Sequence, residues 1–180
     1  MLTLFKSWSL TRTAWLIMAL SGLALEGTAL YFQHGMGLHP CVMCIYERVA
    51  LLGVIFGALI GAIYPASLLV RIAGIVVGAW GAIKGLLLAL EHVDLQLNPA
   101  PWKQCEFRPD FPQTLPLDQW FPQIFQASGS CSDITWRFLG YTMPQWLVVV
   151  FAIYIVIWLF VALSQFKRGY STRQRRLFKH

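Results

Sequence analysis

Four long apolar stretches, separated by shorter polar segments, dominate the pattern of hydrophobic and polar positions along this chain. A helix needs about 20 residues to cross the roughly 30 Å hydrocarbon core of a bilayer, and the stretches approach that length. The second is short as an apolar run, so we extend its helix back to the residues around Cys44. The pattern predicts an all-α membrane protein, a bundle of four transmembrane helices near residues 15–32, 44–63, 72–90 and 146–163.

The composition agrees with this interpretation and excludes a small soluble domain. Hydrophobic residues make up 57% of the 180 positions and charged residues 12%, which is more apolar surface than one soluble core of this size can bury. The first stretch is too long for the apolar region of a signal peptide, and no small-x-small cleavage motif follows it, so we expect it to be retained. No linker or internal repeat divides the sequence, which predicts a single domain over residues 1–180.

The distribution of charge predicts the orientation in the membrane, because Lys and Arg in short loops stay on the cytoplasmic side. Of the fourteen basic residues, six lie in the last fourteen positions, so the net charge of +6 marks a tail and not a nucleic-acid-binding surface. Lys6 and Arg12 precede the first span, whereas residues 91–145 hold six acidic and three basic residues. We expect both termini in the cytoplasm and two outer connections, residues 33–43 and 91–145.

The four cysteines all lie in these outer connections or at their edge. Cys41 and Cys44 form a C-x-x-C pair where the second span begins, and Cys105 and Cys131 lie in the longer connection. Outside the inner membrane of a bacterial-type cell the environment is oxidising, and paired cysteines persist there as disulfides. Four cysteines allow three pairings, of which the natural one joins Cys41 with Cys44 and Cys105 with Cys131.

The C-x-x-C spacing favours thiol–disulfide exchange over a structural staple. A bond between these cysteines closes a very short loop and stabilises little, whereas a second thiol at this distance can resolve a mixed disulfide. If the helix begins near Cys44, its free N–H groups favour the thiolate, and Arg48 one turn later acts in the same direction while Glu47 opposes it. The alternative for Arg48 is an interfacial anchor that reaches the lipid headgroups.

A zinc site made by the four cysteines does not fit their spacing. Structural zinc sites usually repeat a close cysteine pair or add histidines at short spacing. Cys105 and Cys131 are separated by 25 residues that include no histidine. We therefore predict no metal.

The longer connection has the features of a segment that a partner protein binds in extended form. Five prolines surround Cys105 in "NPAPWKQCEFRPDFPQTLP", which favours extended, solvated backbone and suits a thioredoxin-like partner. The next apolar residues recur at helical spacing and predict a short amphipathic helix on the outer leaflet with Asp118 as its N-cap: Leu117, Trp120, Phe121, Ile124 and Phe125. Cys131 follows in the small-residue segment "ASGSCSD", a hinge that could swing toward Cys41.

Taken together, these motifs resemble the DsbB family, bacterial inner-membrane proteins that reoxidise the periplasmic oxidant DsbA. The resemblance covers nearly the whole chain. It is carried by "ALEGTALYFQH" before "PCVMCIYER", "LEH" at the end of the third span, the cysteine at 105, "LPLDQWFPQIFQASGSC" ending at 131, and "MPQWL" opening the fourth span. It implies a four-helix bundle with two periplasmic loops and a quinone, ubiquinone or menaquinone, at the outer rim.

The resemblance also implies roles for individual residues. Cys105 would form the mixed disulfide with a DsbA-like thioredoxin-fold partner, and Cys131 would be its disulfide partner and exchange with Cys41. Cys44 would be the thiolate that faces the quinone. The residues at the quinone site would be Arg48, His92 and, less directly, Glu47. DsbA is itself a strong oxidant, so an ordinary dithiol pair cannot regenerate it, and a membrane quinone supplies the stronger acceptor.

Other functions stay open on the residues alone. Vitamin K epoxide reductase-like proteins also couple loop cysteines to a membrane C-x-x-C and a quinone, but there the loop pair comes first. A non-catalytic membrane scaffold with structural disulfides, or a specialised DsbB-like paralogue with a dedicated partner, would carry the same cysteines. Two further charged residues in the spans, Glu26 and Lys84, could pair with one another or reach the interface.

Overall fold

The structure, a computed structural model, describes residues 2–98, 109–111 and 116–166. Its helices include four that are long and apolar enough to cross a membrane, as the sequence predicts. They are α2 (Arg12–Leu30, prolonged by a π-helical turn, Tyr31–Gly35), α3 (Val42–Ile63), α4 (Leu68–Leu97) and α7 (Met143–Gln165). A short helix that the sequence pattern does not predict, α1 (Leu2–Ser9), precedes them.

The spans differ from the predicted bounds mainly at the end of α4. This helix has 30 residues and runs to Leu97, so residues 91–97 are helical and do not form the start of a connection. No glycine or proline occurs between Leu86 and Asn98, and the first proline after the helix is Pro99, which explains why the helix continues. As a result His92 lies on a rigid helix and not in a loop.

Helix α3 packs between α2 and α4, and α4 also packs against α7. Glycines make the α3–α4 contact close: a Cβ added at Gly57 would collide with the backbone of Gly78, and one added at Gly74 would lie 2.6 Å from the carbonyl oxygen of Gly57. Small residues at helix interfaces allow such approach between membrane helices. On the other side of α4, the fully buried rings of Phe151 and Trp158 fill the space beside glycines of that helix.

The outward faces of the spans are apolar, as expected for contact with lipid. Large side chains that are more than half exposed include Ile17, Val76, Trp80, Ile153 and Leu159. In water such continuous apolar exposure would be an aggregation surface, whereas a bilayer solvates it. These helices make the chain a multi-pass membrane protein.

A polar cluster ties three helices together at the end of the bundle where α1 lies. The Gln165 side-chain oxygen accepts hydrogen bonds from Lys6 Nζ at 3.1 Å and from Arg71 Nε at 3.0 Å. These bonds join α1, α4 and the end of α7. Partial burial and the nearby Arg71 charge lower the pKa of Lys6 below its ordinary value.

The opposite end, which we call the cysteine end, carries the connection between α4 and α7. The predicted amphipathic helix is present as two four-residue helices, α5 (Leu117–Trp120) and α6 (Pro122–Phe125). Pro122 disfavours helical backbone in the residue before it, and Phe121 accordingly has φ −133° and ψ 64°. Pro116, and not Asp118, occupies the N-cap position. A two-stranded hairpin, β1 (Arg137–Phe138) and β2 (Tyr141–Thr142), leads into α7.

Candidate functional site

The C-x-x-C pair lies at the N-terminus of α3. The helix begins at Val42, and Cys41 is its N-cap, so the predicted start near Cys44 is two residues too late. Cys41 Sγ accepts a hydrogen bond of 3.2 Å from the backbone N–H of Cys44. Both residues are free thiols, with Cys41 buried and Cys44 half-buried. The start of α3 therefore holds the two cysteines, with Cys41 Sγ in the place of a capping acceptor for the helix.

His92 approaches this pair from α4. Its Nε2 lies 3.6 Å from Cys41 Sγ, and its Nδ1 lies 3.0 Å from Glu47 Oε1. Both His92 and Glu47 are 2% exposed. The backbone of Cys131 also forms a hydrogen bond with the His92 ring, so the imidazole is held between Glu47, Cys41 and Cys131. The geometry gives His92 the position of a proton acceptor for Cys41.

The Arg48 side chain does not hydrogen-bond the cysteine pair but contacts residues of other elements. Its Nε donates to Glu26 Oε1 of α2 at 2.8 Å, and its Nη1 donates to Gln33 Oε1 at 2.7 Å and to the Ile124 carbonyl at 3.0 Å. The Arg48 guanidinium also lies 6.0 Å from the centre of the Phe125 ring. A buried cation is tolerated when it is paired and hydrogen-bonded. Arg48 is thus a built-in part of the site and not a headgroup anchor.

The suggested pairing of Glu26 with Lys84 is wrong. Glu26 is buried against Arg48, whereas Lys84 is exposed, with its Nζ 5.2 Å from the centre of the Trp80 ring. Sequence reasoning left Glu26 out of the site. A single acidic residue in the first span, with Arg48 at the rim of the next helix, was the available signal.

Two buried polar atoms of the Arg48–Glu26 pair have no partner among the described residues. These are Arg48 Nη2 and Glu26 Oε2. Buried groups of this kind are rare and costly in folded proteins. The Arg48 side chain, but not Glu26, lines an apolar cavity of about 330 Å³ between α2, α3 and α7. The ion pair therefore lies at one edge of this cavity with hydrogen-bonding capacity that the described residues do not use.

A second, more polar cavity of about 440 Å³ lies on the other side of the cysteine pair. Cys41 and His92 line the polar cavity, and Glu47 and Arg48 line the apolar one, while Cys44 lines both. The predicted site residues of the C-x-x-C region are therefore brought together in space. The cavities divide them into two groups that share Cys44.

Cys131 joins this group from the connection before α7. It is 4% exposed, forms a disulfide, and packs in one buried cluster with Cys41 and Met43. The expected hinge is anchored, because the backbone N–H groups of Ser128 and Gly129 both donate to the Pro40 carbonyl at 3.0 Å. Cys131 consequently lies beside Cys41 without a swing of the segment. The fourth predicted cysteine, Cys105, falls outside the described residues.

Comparisons with known proteins place the chain in one family. A family model described as "Disulfide bond formation protein DsbB" matches residues 11–161. The chain is 56% identical over 179 residues to disulfide bond formation protein B of Histophilus somni, covering 99% of this chain and 100% of the relative. It is 56% identical to the protein of the same name from Pasteurella multocida over 178 residues, and 50% identical to that of Haemophilus influenzae over 178 residues, with 99% of each chain covered.

Proposed function

Because this chain belongs to the DsbB family of disulfide bond formation proteins, we propose that it reoxidises a DsbA-like thioredoxin-fold protein outside the inner membrane and passes the electrons to a membrane quinone. The observation that carries the proposal is the position of Cys44, which lines both the polar and the apolar cavity. Thiol chemistry with water-soluble proteins belongs on the polar side, and a lipid-soluble acceptor belongs on the apolar side. Cys44 is the described cysteine that touches both.

The apolar cavity fits a quinone head group by its chemistry. Its walls are mostly aliphatic and aromatic side chains of α2, α3 and α7, and its polar groups include the guanidinium-bearing side chain of Arg48. A quinone presents two carbonyl oxygens on an apolar ring, so one carbonyl can accept from such a donor. When bound, the quinone supplies a two-electron acceptor dissolved in the membrane. Arg48, which Glu26 holds in place, supplies the polar side of the site, and Glu47 lines it near Cys44 in the same helix.

The exchange between the two cysteine pairs follows from the position of Cys131 beside Cys41. A DsbA-like dithiol attacks the proposed Cys105–Cys131 disulfide, so the partner leaves as a disulfide and its two electrons remain on this chain. The Cys131 thiolate then attacks Cys41 of the oxidised C-x-x-C pair, which forms a Cys41–Cys131 bond and releases Cys44 as a thiolate. The Cys105 thiolate attacks Cys131 of this bond, which forms the Cys105–Cys131 disulfide again and releases Cys41. The free thiols of Cys41 and Cys44 beside a disulfide-bonded Cys131 correspond to the later stage at which the electrons have reached the C-x-x-C pair.

His92 and Glu47 assist by handling protons. Closing the Cys41–Cys44 disulfide again requires the loss of two thiol protons and two electrons. His92 Nε2, 3.6 Å from Cys41 Sγ, takes the proton of that thiol, and Glu47 at 3.0 Å from Nδ1 stabilises the imidazolium that results. On this scheme His92 acts on the thiol and not as a wall of the quinone cavity.

The test uses purified protein in detergent, a reduced DsbA-like partner and added ubiquinone or menaquinone, with quinone reduction followed by absorbance. We expect one quinone reduced per partner molecule oxidised. Cys44→Ala should abolish the reaction, and Arg48→Ala should weaken it chiefly at limiting quinone. Full activity in Cys44→Ala would refute this mechanism and favour a non-catalytic scaffold in which the cysteines form structural disulfides. Activity only with a different thioredoxin-like donor would support a specialised paralogue.

A further inference from the structure

Three side chains at the cysteine end bring metal-ligating atoms together. The thiols of Cys41 and Cys44 and the imidazole of His92 have ligand atoms that all lie within 4.8 Å of one another. The four cysteines alone do not have the spacing of a zinc site, whereas His92 on the third span adds an imidazole beside the Cys41–Cys44 pair. Among the divalent metals, Zn²⁺ is well suited to a set of two thiolates and one imidazole.

The distances suit a tetrahedral ion. Zinc–sulfur bonds of about 2.3 Å and zinc–nitrogen bonds of about 2.0–2.1 Å place sulfur and nitrogen ligands about 3.6 Å apart. Cys41 Sγ and His92 Nε2 are 3.6 Å apart. Cys44 Sγ lies within 4.8 Å of both atoms, and Cys44 is in the first turn of the helix that Cys41 caps.

The surroundings supply what a zinc-ligating histidine usually has. Glu47 Oε1 lies 3.0 Å from His92 Nδ1, the ring nitrogen that does not face Cys41. A carboxylate in this position raises the basicity of the imidazole and orients its ring in known zinc sites. The contact is independent of the ligand distances, because it lies on the far side of the ring from the two sulfurs.

The polar cavity provides an access route and room for a fourth ligand. Cys41, Cys44 and His92 all line it, and so does the exposed carboxylate of Asp133, which attracts cations. Gln96 also lines it, one turn after His92, and its side-chain oxygen is buried without a partner among the described residues.

We propose that the reduced Cys41–Cys44 pair and His92 form a site for Zn²⁺, with an open fourth position toward the polar cavity, and that zinc bound there blocks turnover. Binding exchanges the two thiol protons for the metal and moves no electrons. Zinc and the Cys41–Cys44 disulfide therefore exclude one another, since the disulfide has no thiolate to offer. The block of turnover rests on the proposed function, whereas the binding does not.

Binding is tested without reference to activity. A variant with Cys105→Ser and Cys131→Ser keeps Cys41 and Cys44 as its cysteines, so other thiols cannot contribute. Co²⁺ is titrated into the reduced protein in detergent, and the thiolate-to-cobalt charge-transfer band and the visible bands of tetrahedral cobalt are recorded. Zn²⁺ is then added in competition. We expect one cobalt per chain, displaced by one zinc, and no such bands in the oxidised protein.

Three variants assign the ligands. His92→Ala should lose the tetrahedral spectrum, and Glu47→Gln should keep it with an affinity about 10- to 100-fold weaker. His34→Ala removes an exposed histidine of the π-helical turn and should bind as the parent does. Equal binding by the oxidised protein, or unchanged spectra and affinity in both His92→Ala and Glu47→Gln, would overturn the site.

The inhibitory part has a separate readout. Wild-type turnover with the partner and quinone is measured as zinc is raised to the range in which the competition experiment shows the site to fill. We expect turnover to fall in step with occupancy and to return when a chelator is added. Undiminished turnover at full occupancy would refute the proposed inhibition but not the proposed zinc site. A protein that binds zinc but never reduces quinone would instead refute the proposed function.

Discussion

Arg48 Nε donates a 2.8 Å hydrogen bond to Glu26 Oε1, and this buried contact joins the rim of α3 to the middle of the cysteine half of α2. Removing one member of a buried ion pair leaves the other charge without compensation, which typically costs about 3–5 kcal/mol. Glu26→Ala should therefore destabilise the protein by this order and weaken quinone use. Glu26→Gln, which keeps an oxygen acceptor, should lose less.

The measurements for this pair are denaturant unfolding in detergent and the KM for quinone. The matched control is Lys84→Ala, which removes an exposed charge from another span and should change stability by no more than about 0.5 kcal/mol. Equal losses in Glu26→Ala and Lys84→Ala would mean that the ion pair does not organise the site.

The contact between Cys41 and Cys131 predicts which disulfide forms when other partners are removed. In Cys44→Ala/Cys105→Ala, the remaining cysteines should oxidise to a Cys41–Cys131 bond, because the two residues share one buried cluster. In Cys41→Ala/Cys105→Ala, the less buried Cys44 should pair with Cys131 more slowly. Mass spectrometry of peptides after alkylation of free thiols measures both. Faster bond formation by Cys44 would contradict the proposed order of exchange.

His92 as proton acceptor predicts a change in the pH dependence of turnover. His92→Ala should lower the rate at saturating quinone by roughly 10²- to 10⁴-fold, the usual contribution of a general base. The residual rate should rise with pH more steeply than that of wild type, because hydroxide then replaces the lost base. The turnover rate of Glu47→Gln should lie between those of wild type and His92→Ala, and that of His34→Ala should match wild type. A parallel pH profile in His92→Ala would show that the imidazole only fills space.

The close approach of α3 and α4 at Gly57 predicts a destabilising effect of one methyl group. A Cβ at this position would overlap the backbone of Gly78, and overpacking of a core typically costs about 1–3 kcal/mol. Gly27→Ala is the control, since nothing lies within 4 Å of an added Cβ there. Thermal unfolding in detergent should place Gly57→Ala below wild type and Gly27→Ala at or above it. Equal unfolding temperatures for the two variants would mean that α3 and α4 can move apart without loss of stability.

The expected orientation can be checked with single cysteines in a cysteine-free background. Ser130→Cys lies in the connection at the cysteine end, and Ala66→Cys lies in the turn between α3 and α4 at the opposite end, both at exposed positions. A membrane-impermeant maleimide should label Ser130→Cys in spheroplasts and reach Ala66→Cys only after the membrane is opened. The reverse result would place the cysteines on the cytoplasmic side and contradict the positive-inside assignment.

The local features of this protein follow from its sequence, and the contacts between spans do not. Hydropathy alone predicts the four spans, and the spacing of Cys41 and Cys44 predicts a redox pair. The Cys41–His92 contact joins residues 51 positions apart, so it depends on how α3 and α4 are rotated and offset against each other. That offset is set by the glycine contacts, whose partners a single sequence does not reveal.

Two differences near the site had local causes that are visible in the sequence. The apolar spacing of residues 117–125 predicts one helix, but Pro122 restricts Phe121 and splits it into α5 and α6. The absence of a breaker before Pro99 lets α4 continue past residue 90. The partner of Glu26 could not be predicted in this way. Whether Glu26 pairs with Arg48 or with Lys84 depends on which face of α2 packs against α3.

The place of Cys44 between the two cavities also bears on how small molecules can reach it. Its sulfur can be approached from the aqueous side, where a protein partner would compete, and from the membrane side, where it would not. Lipid-soluble and water-soluble thiol reagents of equal intrinsic reactivity should then differ in how strongly the partner protects against them. A poison that partitions into the bilayer would inactivate the reduced protein even while its partner is bound.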